Sequence, residues 1–429
     1  MLDQYFGLSE KNTTVRTEIL AGATTFLTMA YIIFVNPGIL SQTGMDFGAV
    51  FVATCLAAAI STAIMGLYAN YPVALAPGMG LNAYFTFGVV GGLGFSWQVA
   101  LGAVFVSGVI FLAISVLKVR EWIINAIPMS MKLSIAAGIG LFLAVIALKN
   151  AGVVVAHPAT LVTLGNLKSL PTLLACAGFV LIAALHYRRV PGAILIGILV
   201  ISVAGMALGL SEFKGIASLP PSLAPTFLQM DVAGALSLGL ATIIFAFLFV
   251  DLFDTAGTLV GVAHRGGLLD AQGRLPRLGR ALVADSTATM VGAALGTSTT
   301  TSYIESAAGV DAGGRTGLTA VVVAILFLAA IFLSPLAAAI PAFATAPALF
   351  FVACLMAASL KDIDWTDATE FAPAIVTAVG MPFTFSIADG IGLGFISYAA
   401  LKLLAGRTAG LGPAVWIIAA AFAVRIAVV

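Results

Sequence analysis

The chain has 429 residues, of which 61% are hydrophobic and only 9% charged, and its mean hydropathy is +1.13. A soluble domain carries roughly a quarter charged residues, so this composition excludes a soluble fold and predicts an all-α polytopic membrane protein. The formal net charge of +1 leaves no basic footprint for nucleic acid.

The first residues, MLDQYFGLSEKNTTVRTE, are polar and amphipathic, without the apolar core of a cleavable leader. Runs near the ~20 apolar residues that cross a bilayer follow at 18–40, 49–67, 72–88, 97–117, 133–148, 170–185, 191–208, 233–260 and 281–295. A polar stretch at 296–309 comes next, and then runs at 317–333, 345–359, 371–385, 390–404 and 413–428. The reading is about fourteen crossing or half-crossing elements, with the last run one in excess. The 45 glycines suit helices that pack closely in lipid. Cys55, Cys176 and Cys354 lie in apolar runs without metal-like spacing and read as small core residues. His157, His186 and His264 fall in or beside loops and are not expected ligands.

Basic residues set the orientation. Lys11 and Arg16 precede the first run, Lys118 and Arg120 lie between the fourth and fifth, and Arg188 and Arg189 between the sixth and seventh. His264, Arg265, Arg274, Arg277 and Arg280 cluster between the eighth and ninth. All these loops fall on the side of the N-terminus, which is therefore expected in the cytoplasm; the loop 42–47 has no Lys or Arg.

Residues 1–210 hold seven elements, 211–232 form a polar, proline-containing connection, and 233–429 hold a second set. Seven is odd, so the second set starts on the opposite side, and inverted repeats are the natural reading. The third element of each half is interrupted. In the first half, PVALAPGMGLNAYFTFG carries Pro77, Gly78 and Gly80, which break the helix, and Asn82, which is placed to cap a new one. In the second half, GTSTTTSYIESAAG at 296–309 opens with β-branched threonines that favour extended backbone. Ser302 with Glu305 three residues later then has the spacing of a capping box. Irregular backbone at membrane depth is tolerated only where it is buried in protein or lines a cavity. In transporters, broken helices aim their N-termini at a substrate near the midplane. The two broken elements are therefore read as the substrate site.

The eighth run reads LFVDLFDTAGTLVG, with Asp251, Asp254, Thr255 and Thr258 sharing one helical face. A carboxylate in hydrocarbon costs at least ~2.5–3.5 kcal/mol on insertion scales. These residues and Glu305 are expected to face an interior and act, with helix ordering or capping as their plainer roles. Asp285 lies about one turn beyond Arg280 and is expected to pair with the basic loop. Asp389, three residues after Ser386, reads as part of a cap. Thr24, Thr28 and Tyr31 form a polar stripe that either lines the site or bonds across a packed interface. Asp362, Asp364, Asp367 and Glu370 read as a solvated loop cluster.

Five stretches carry a family signature in order over nearly the whole chain: TMAYIIFVNP (28–37), ALAPGMGLNAYF (74–85), DLFDTAGTL (251–259), TSTTTSYIESAAGV followed by GGRTG (297–317), and MPFTFSIADGIGLGFISY (381–398). With them the chain resembles the AzgA-like purine permease branch of the nucleobase–ascorbate transporter (xanthine/uracil permease) family. The resemblance implies fourteen elements in a 7+7 inverted repeat. It implies a core domain of elements one to four and eight to eleven, and a gate domain of elements five to seven and twelve to fourteen. The substrate would lie between broken elements three and ten and the eighth run, with Asp254 and Glu305 binding the base. Where the uracil members carry Glu and, four residues on, His, this chain has Asp254 and Thr258. These shorter side chains suit a larger purine ring and leave the proton carrier open among Glu305, Asp254 and Asp251.

The chemistry agrees. A purine is flat, neutral and edged with N–H donors and ring acceptors; carboxylates accept from N–H groups in charge-assisted bonds. Helix N-terminal amides and Asn82 can donate to the ring, and Tyr84, Phe85 and Tyr303 offer flat faces. The candidate substrate set is Thr28, Asn82, Ala83, Tyr84, Phe85, Asp254, Thr258, Thr301, Ser302, Tyr303 and Glu305.

The expected activity is import of adenine, guanine or hypoxanthine by secondary transport. No G-x-x-x-x-G-K-[ST] motif occurs, so accumulation must draw on an ion gradient. Two carboxylates in one desolvated pocket without a basic partner favour a bound proton, hence proton symport; the hydroxyls at 297–302 keep sodium as an alternative. An anion carrier of the same architecture would want a basic residue at the broken helices, and Arg315 falls beyond, in a loop. A membrane enzyme would want a nucleophile–base pair or a metal cluster. The chain is thus expected not to be an enzyme and to take no cofactor or metal. Its expected partners are a purine base, the proton, the bilayer and, as an option, a second copy in a homodimer.

Overall fold

A computed structural model describes residues 2–117, 127–237, 240–270, 275–408 and 411–428; Lys118, Arg120 and Arg274 lie outside them. Nine of the described helices are long and apolar enough to cross a membrane, and the protein is a multi-pass membrane protein.

The first half opens with α1 (Leu2–Phe6), α2 (Val15–Met29), α3 (Ile32–Leu40) and α4 (Phe47–Ile64), followed by strand β1 (Leu75–Pro77) and the half-helix α5 (Met79–Ala83). It continues with α6 (Trp97–Val116), α7 (Met129–Asn150), a hairpin of β2 (Val154–His157) and β3 (Leu161–Leu164), α8 (Leu170–Tyr187) and α9 (Ala193–Ala207). The second half holds α10 (Val232–Ser237), α11 (Ala241–Arg265), α12 (Leu278–Leu295), strand β4 (Thr300–Ser302) and the half-helix α13 (Ser306–Asp311). After these come α14 (Gly317–Ala330), α15 (Ser334–Ala339), α16 (Ala342–Ala357), α17 (Ala368–Thr384), α18 (Ile387–Leu404) and α19 (Pro413–Val428). The run expected at 233–260 thus divides into α10 and α11.

Helix starts follow local side chains. Thr14, Asp46, Ser96, Ser169, Thr316, Asp367 and Ser386 each accept from a backbone amide in the first turn. Ser386 caps through the amide of Asp389, as the spacing predicts. Two other capping expectations are corrected. The Ser302 hydroxyl donates to Asp285 instead, and α13 starts after Glu305 without a side-chain cap bond. Asn82 lies inside α5, whose N-cap is Gly78. In both cases a tertiary partner took the polar side chain from the local one.

The broken elements meet. β1 and β4 pair antiparallel, Leu75 opposite Ser302, Ala76 opposite Thr301 and Pro77 opposite Thr300. Bonds from Tyr303 N to Ala74 O and from Gly78 N to Thr299 O, each 2.9 Å, extend the pairing at both ends. Thr62 Oγ1 both accepts from Leu75 N and donates to Leu75 O, each at 2.9 Å. The strands are buried throughout, so their amides and carbonyls find partners in protein where lipid has none.

Helices pack in two sets. α12 lies against α4 and α6, and α14 against α2 and α4, with α13 on α2. α7 packs on α16 and α17, α17 on α18, and α8 on α9 and α16. Glu370 belongs to the second set and not to a solvated loop. It sits within α17, accepts from Lys402 Nζ and Ser130 Oγ at 2.5 Å each and from Tyr398 OH at 3.2 Å, and so ties α7, α17 and α18 together. Asp367 likewise caps α17 and pairs with Arg407 at 2.6 Å.

Candidate functional site

The floor of the site is the β1–β4 crossing, and α11 passes beside it against β4 and α13. A helix turns ~100° per residue, so Asp251, Thr255 and Thr258 cluster while Asp254 stands at the edge of that polar face. The structure divides the face accordingly. Asp251, Thr255 and Thr258 are buried, whereas Asp254 is exposed.

Behind the floor lies a buried hydroxyl–carboxylate network. Thr289 Oγ1 donates to Asp251 Oδ2 at 2.7 Å and to Thr300 O at 3.1 Å. Thr255 Oγ1 donates to Asp285 Oδ2 at 2.7 Å, and Ser302 Oγ to Asp285 Oδ1 at 2.9 Å. Thr255 and Thr301 share a bond of 2.8 Å between their hydroxyls. Asp285 is fully buried here, which corrects its expected pairing with the basic loop. The hydroxyls of Thr255 on α11 and Ser302 on β4 offered closer partners than a guanidinium at the helix end.

A second network fixes α5. Asn36 Nδ2 donates to Thr54 Oγ1 at 2.7 Å and to Thr297 Oγ1 at 2.9 Å. Asn82 Nδ2 donates to Asn36 Oδ1 at 2.6 Å, and Ser298 Oγ donates to Asn82 Oδ1. Asn82 is fully buried, with its amide engaged on both sides. Ala83, Tyr84 and Phe85 are buried beside it, the Tyr84 ring 5.1 Å from that of Phe247. Tyr303 is buried and donates from its hydroxyl to Pro77 O at 2.5 Å. Of the sequence-derived set, these residues together with Thr301 and Ser302 form the frame of the site.

The open part is smaller. Glu305 is half-buried at the start of α13, and Tyr31 OH donates to its Oε1 at 2.5 Å. Thr28 Oγ1, half-buried one turn before Tyr31, donates to Thr25 O at 2.7 Å and reaches Glu305 O at 3.4 Å. Asp254 lies within electrostatic reach of Glu305. Below Asp254, α11 presents Gly257, beside which a Cβ would meet nothing within 4 Å, then Val260, 46% exposed. Ile304, 52% exposed, lies opposite. Asp254, Glu305 and Thr28 are thus the accessible polar groups beside the crossing, with Thr258 buried one turn beyond Asp254.

On the other side of α11 the rings of Phe245, Phe249 and Phe253 follow one another in tilted contact at four-residue spacing, 5.3 and 4.6 Å apart. Phe249 meets Phe395 of α18 at 6.0 Å and Phe245 meets Phe422 of α19 at 6.2 Å. Lys132 of α7 places its Nζ 5.8 Å from the Phe253 ring. Sequence reasoning missed Asn36, Asp285, Thr289 and Lys132 as parts of this region. A polar residue inside the apolar run TMAYIIFVNP was the available signal for Asn36.

Three comparisons bear on this geometry. A family model described as a permease family, of the xanthine/uracil type, matches residues 16–393. The adenine permease AdeP of Escherichia coli (strain K12) is 52% identical over 426 residues, covering 99% of this chain and 96% of the relative. The guanine/hypoxanthine permease PbuG of Bacillus subtilis (strain 168) is 47% identical over 421 residues, covering 95% and 96%. Among solved structures, the transmembrane domain of the cyanobacterial bicarbonate transporter BicA superposes with a TM-score of 0.67 at 17% identity, covering 88% of this chain and 96% of that one. At that identity the likeness speaks for the fold, an inverted repeat, alone.

Proposed function

The chain belongs to the xanthine/uracil permease family, a family of permeases and not of enzymes, and on that premise we propose that it is a secondary active transporter importing purine nucleobases across the cytoplasmic membrane by proton symport. The observation that carries the proposal is the pair Asp254 and Glu305, an exposed and a half-buried carboxylate within electrostatic reach of each other beside the crossing of two broken helices. A carboxylate accepts from N–H groups, and the edge of a purine offers them in charge-assisted bonds. That relatives are named for adenine and for guanine and hypoxanthine supports a substrate among these bases.

In this reading Asp254 and Glu305 grip the base edge, with Thr28 and Thr258 at the rim. Asn82, Ala83, Tyr84, Phe85, Thr301, Ser302 and Tyr303 set the shape of the site from behind. The α2, α4, α6, α12 and α14 set, with α11 packed on α6, is the core domain, and the α7, α8, α9, α16, α17 and α18 set is the gate. The N-terminus faces the cytoplasm. In support, Tyr5 OH donates to Leu67 O at 2.9 Å and Asn70 to Phe6 O at 3.0 Å, while Arg277 lies over the Tyr71 ring at 5.3 Å. The N-terminal segment and the basic loop therefore share one end, and cytoplasmic loops are the basic ones. Proton coupling rests on charge: two carboxylates facing one site inside the membrane protein, without a basic partner, repel each other, and a bound proton relieves that.

The test is uptake of labelled adenine, guanine and hypoxanthine by the purified protein in proteoliposomes. Accumulation of at least one base above protein-free vesicles is expected. Failure with all three would overturn the reading. Bicarbonate, the substrate in the name of the structurally similar transporter, serves as the contrasting arm.

A further inference from the structure

We propose that Lys132 is the gate-side counter-charge of the empty site: a slide of α11 by one turn along α7 exchanges its contact with the Phe253 ring for an ion pair with Asp254. The proposal rests on the transport reading given above, with α7 in the gate and α11 in the core.

The geometry begins on α7. Lys132 and Ile139 are seven positions apart and so share a helix face. Ile139 packs directly on Gly80 of the broken element, leaving no room for a Cβ there. Lys132 continues the same face toward α11, half-buried, and forms no ion pair among the described residues. A cation held at this depth without an anion is costly, and a ring face compensates only in part.

On α11 the ladder at four-residue spacing reads Phe245, Phe249, Phe253, Gly257 and Gly261. Three aromatic rungs are thus followed by two without side chains. At Gly257 a Cβ would meet nothing within 4 Å, and at Gly261 only Ile304 Cδ1 at 3.5 Å. The ladder is a ridge that ends in a furrow. Packed helices move past one another by shear, and the furrow is the direction in which α11 can move along α7 without collision. One turn is ~5.4 Å. Such a step brings Lys132 opposite Gly257, whose neighbour one turn back on the helix is Asp254. An ammonium on a four-carbon stem reaches a carboxylate flanking that position. A bound base occupies Asp254 and displaces the ammonium. With the base and its co-transported proton on the carboxylate pair the loaded carrier needs no counter-charge, whereas the empty carrier returns with Asp254 neutralised by Lys132.

The experiment separates these two passages. In proteoliposomes, base-for-base exchange uses only the loaded carrier, whereas net uptake requires return of the empty one. Lys132→Met, which retains the stem and removes the charge, is expected to bind base and support exchange near the wild-type rate while net uptake falls by about tenfold or more. Lys132→Arg is expected to restore net uptake. Equal loss of exchange and net uptake, or loss of neither, would overturn the proposal. A second measurement tests the geometry without relying on transport. In protein with Cys55, Cys176 and Cys354 replaced by Ala, paired Lys132→Cys and Gly257→Cys substitutions are expected to form a disulfide under mild oxidant without added base. A pair that stays reduced while Lys132→Cys with Phe253→Cys crosslinks would also overturn it. Failure of the transport reading itself is distinguishable, since the wild-type protein would then move no base at all.

Discussion

Glu305 shows how one side chain acquires its setting. It is held by a hydroxyl from the turn between α2 and α3 more than 270 positions earlier, Tyr31, and not by the capping box that its spacing with Ser302 suggests. Gln at this position keeps the shape and an acceptor for Tyr31 but removes the charge. Glu305→Gln is therefore expected to weaken base binding at least about tenfold, or ~1.4 kcal/mol, with little change in melting temperature in detergent; calorimetric titration of the purified variant reads it, and wild-type affinity would sink the idea. Asp254→Asn is expected to depress binding more than Asp251→Asn. Asp254 is exposed beside the crossing, whereas Asp251 is buried and accepts from Thr289. The reverse order in the same titration would place the substrate on the other side of α11. Asp254 and Glu305 were legible in the sequence because a charge inside an apolar run has no ordinary excuse. Asp285 and Asn36 were not, since their partners come from β4, α4 and α5, and no local spacing announces them.

The broken elements were legible from Pro77, Gly78 and the threonine run, because each disfavours continuous helix. Their mutual pairing was not, since hydrogen bonding between strands about 225 positions apart leaves no periodic trace. Other joints of the same kind hold the elements around the site. Gly309 presses the half-helix α13 onto Thr25 and Ala21 of α2 so closely that a Cβ has no place. Glu18, also on α2, is fully buried and accepts from the amides of Arg315, Thr316 and Thr319 at 2.9, 3.3 and 3.1 Å, and from Thr319 Oγ1 at 2.6 Å. One carboxylate thus organises the start of α14. Leaving a buried donor without a partner costs about 1–3 kcal/mol, and Glu18→Ala orphans several. A marked drop in melting temperature and in the yield of monodisperse protein is expected on size-exclusion chromatography, with Glu18→Gln intermediate. Unchanged melting for the alanine variant would show that water takes over the role.

At the scale of the molecule, the opposite orientation of the halves was readable from an odd number of elements and from the placement of Lys and Arg. The division of the helices into two packed sets was not, because apolar faces toward lipid and toward protein have the same composition. Gly80 against Ile139 and the Phe245–Phe249–Phe253 ridge against Phe395 and Phe422 become visible only in three dimensions. Coupling belongs to this scale as well. Uptake into proteoliposomes is expected to rise as external pH falls, to collapse with a protonophore and to need no sodium. Accumulation under an imposed sodium gradient, without response to a pH gradient, would refute proton symport and direct attention to the hydroxyls at 297–302.

The β1–β4 crossing has a pharmacological consequence. Both halves of the chain contribute to it, and its bonds to Thr62, Ala74 and Thr299 leave neither strand free to part from the other. On the proposed transport reading, the crossing is therefore one rigid piece whichever compartment the site opens to. Competing bases should rank in the same order of potency when presented from the inner or the outer face of the membrane, and an inhibitor designed against one orientation will also be an inhibitor of the other.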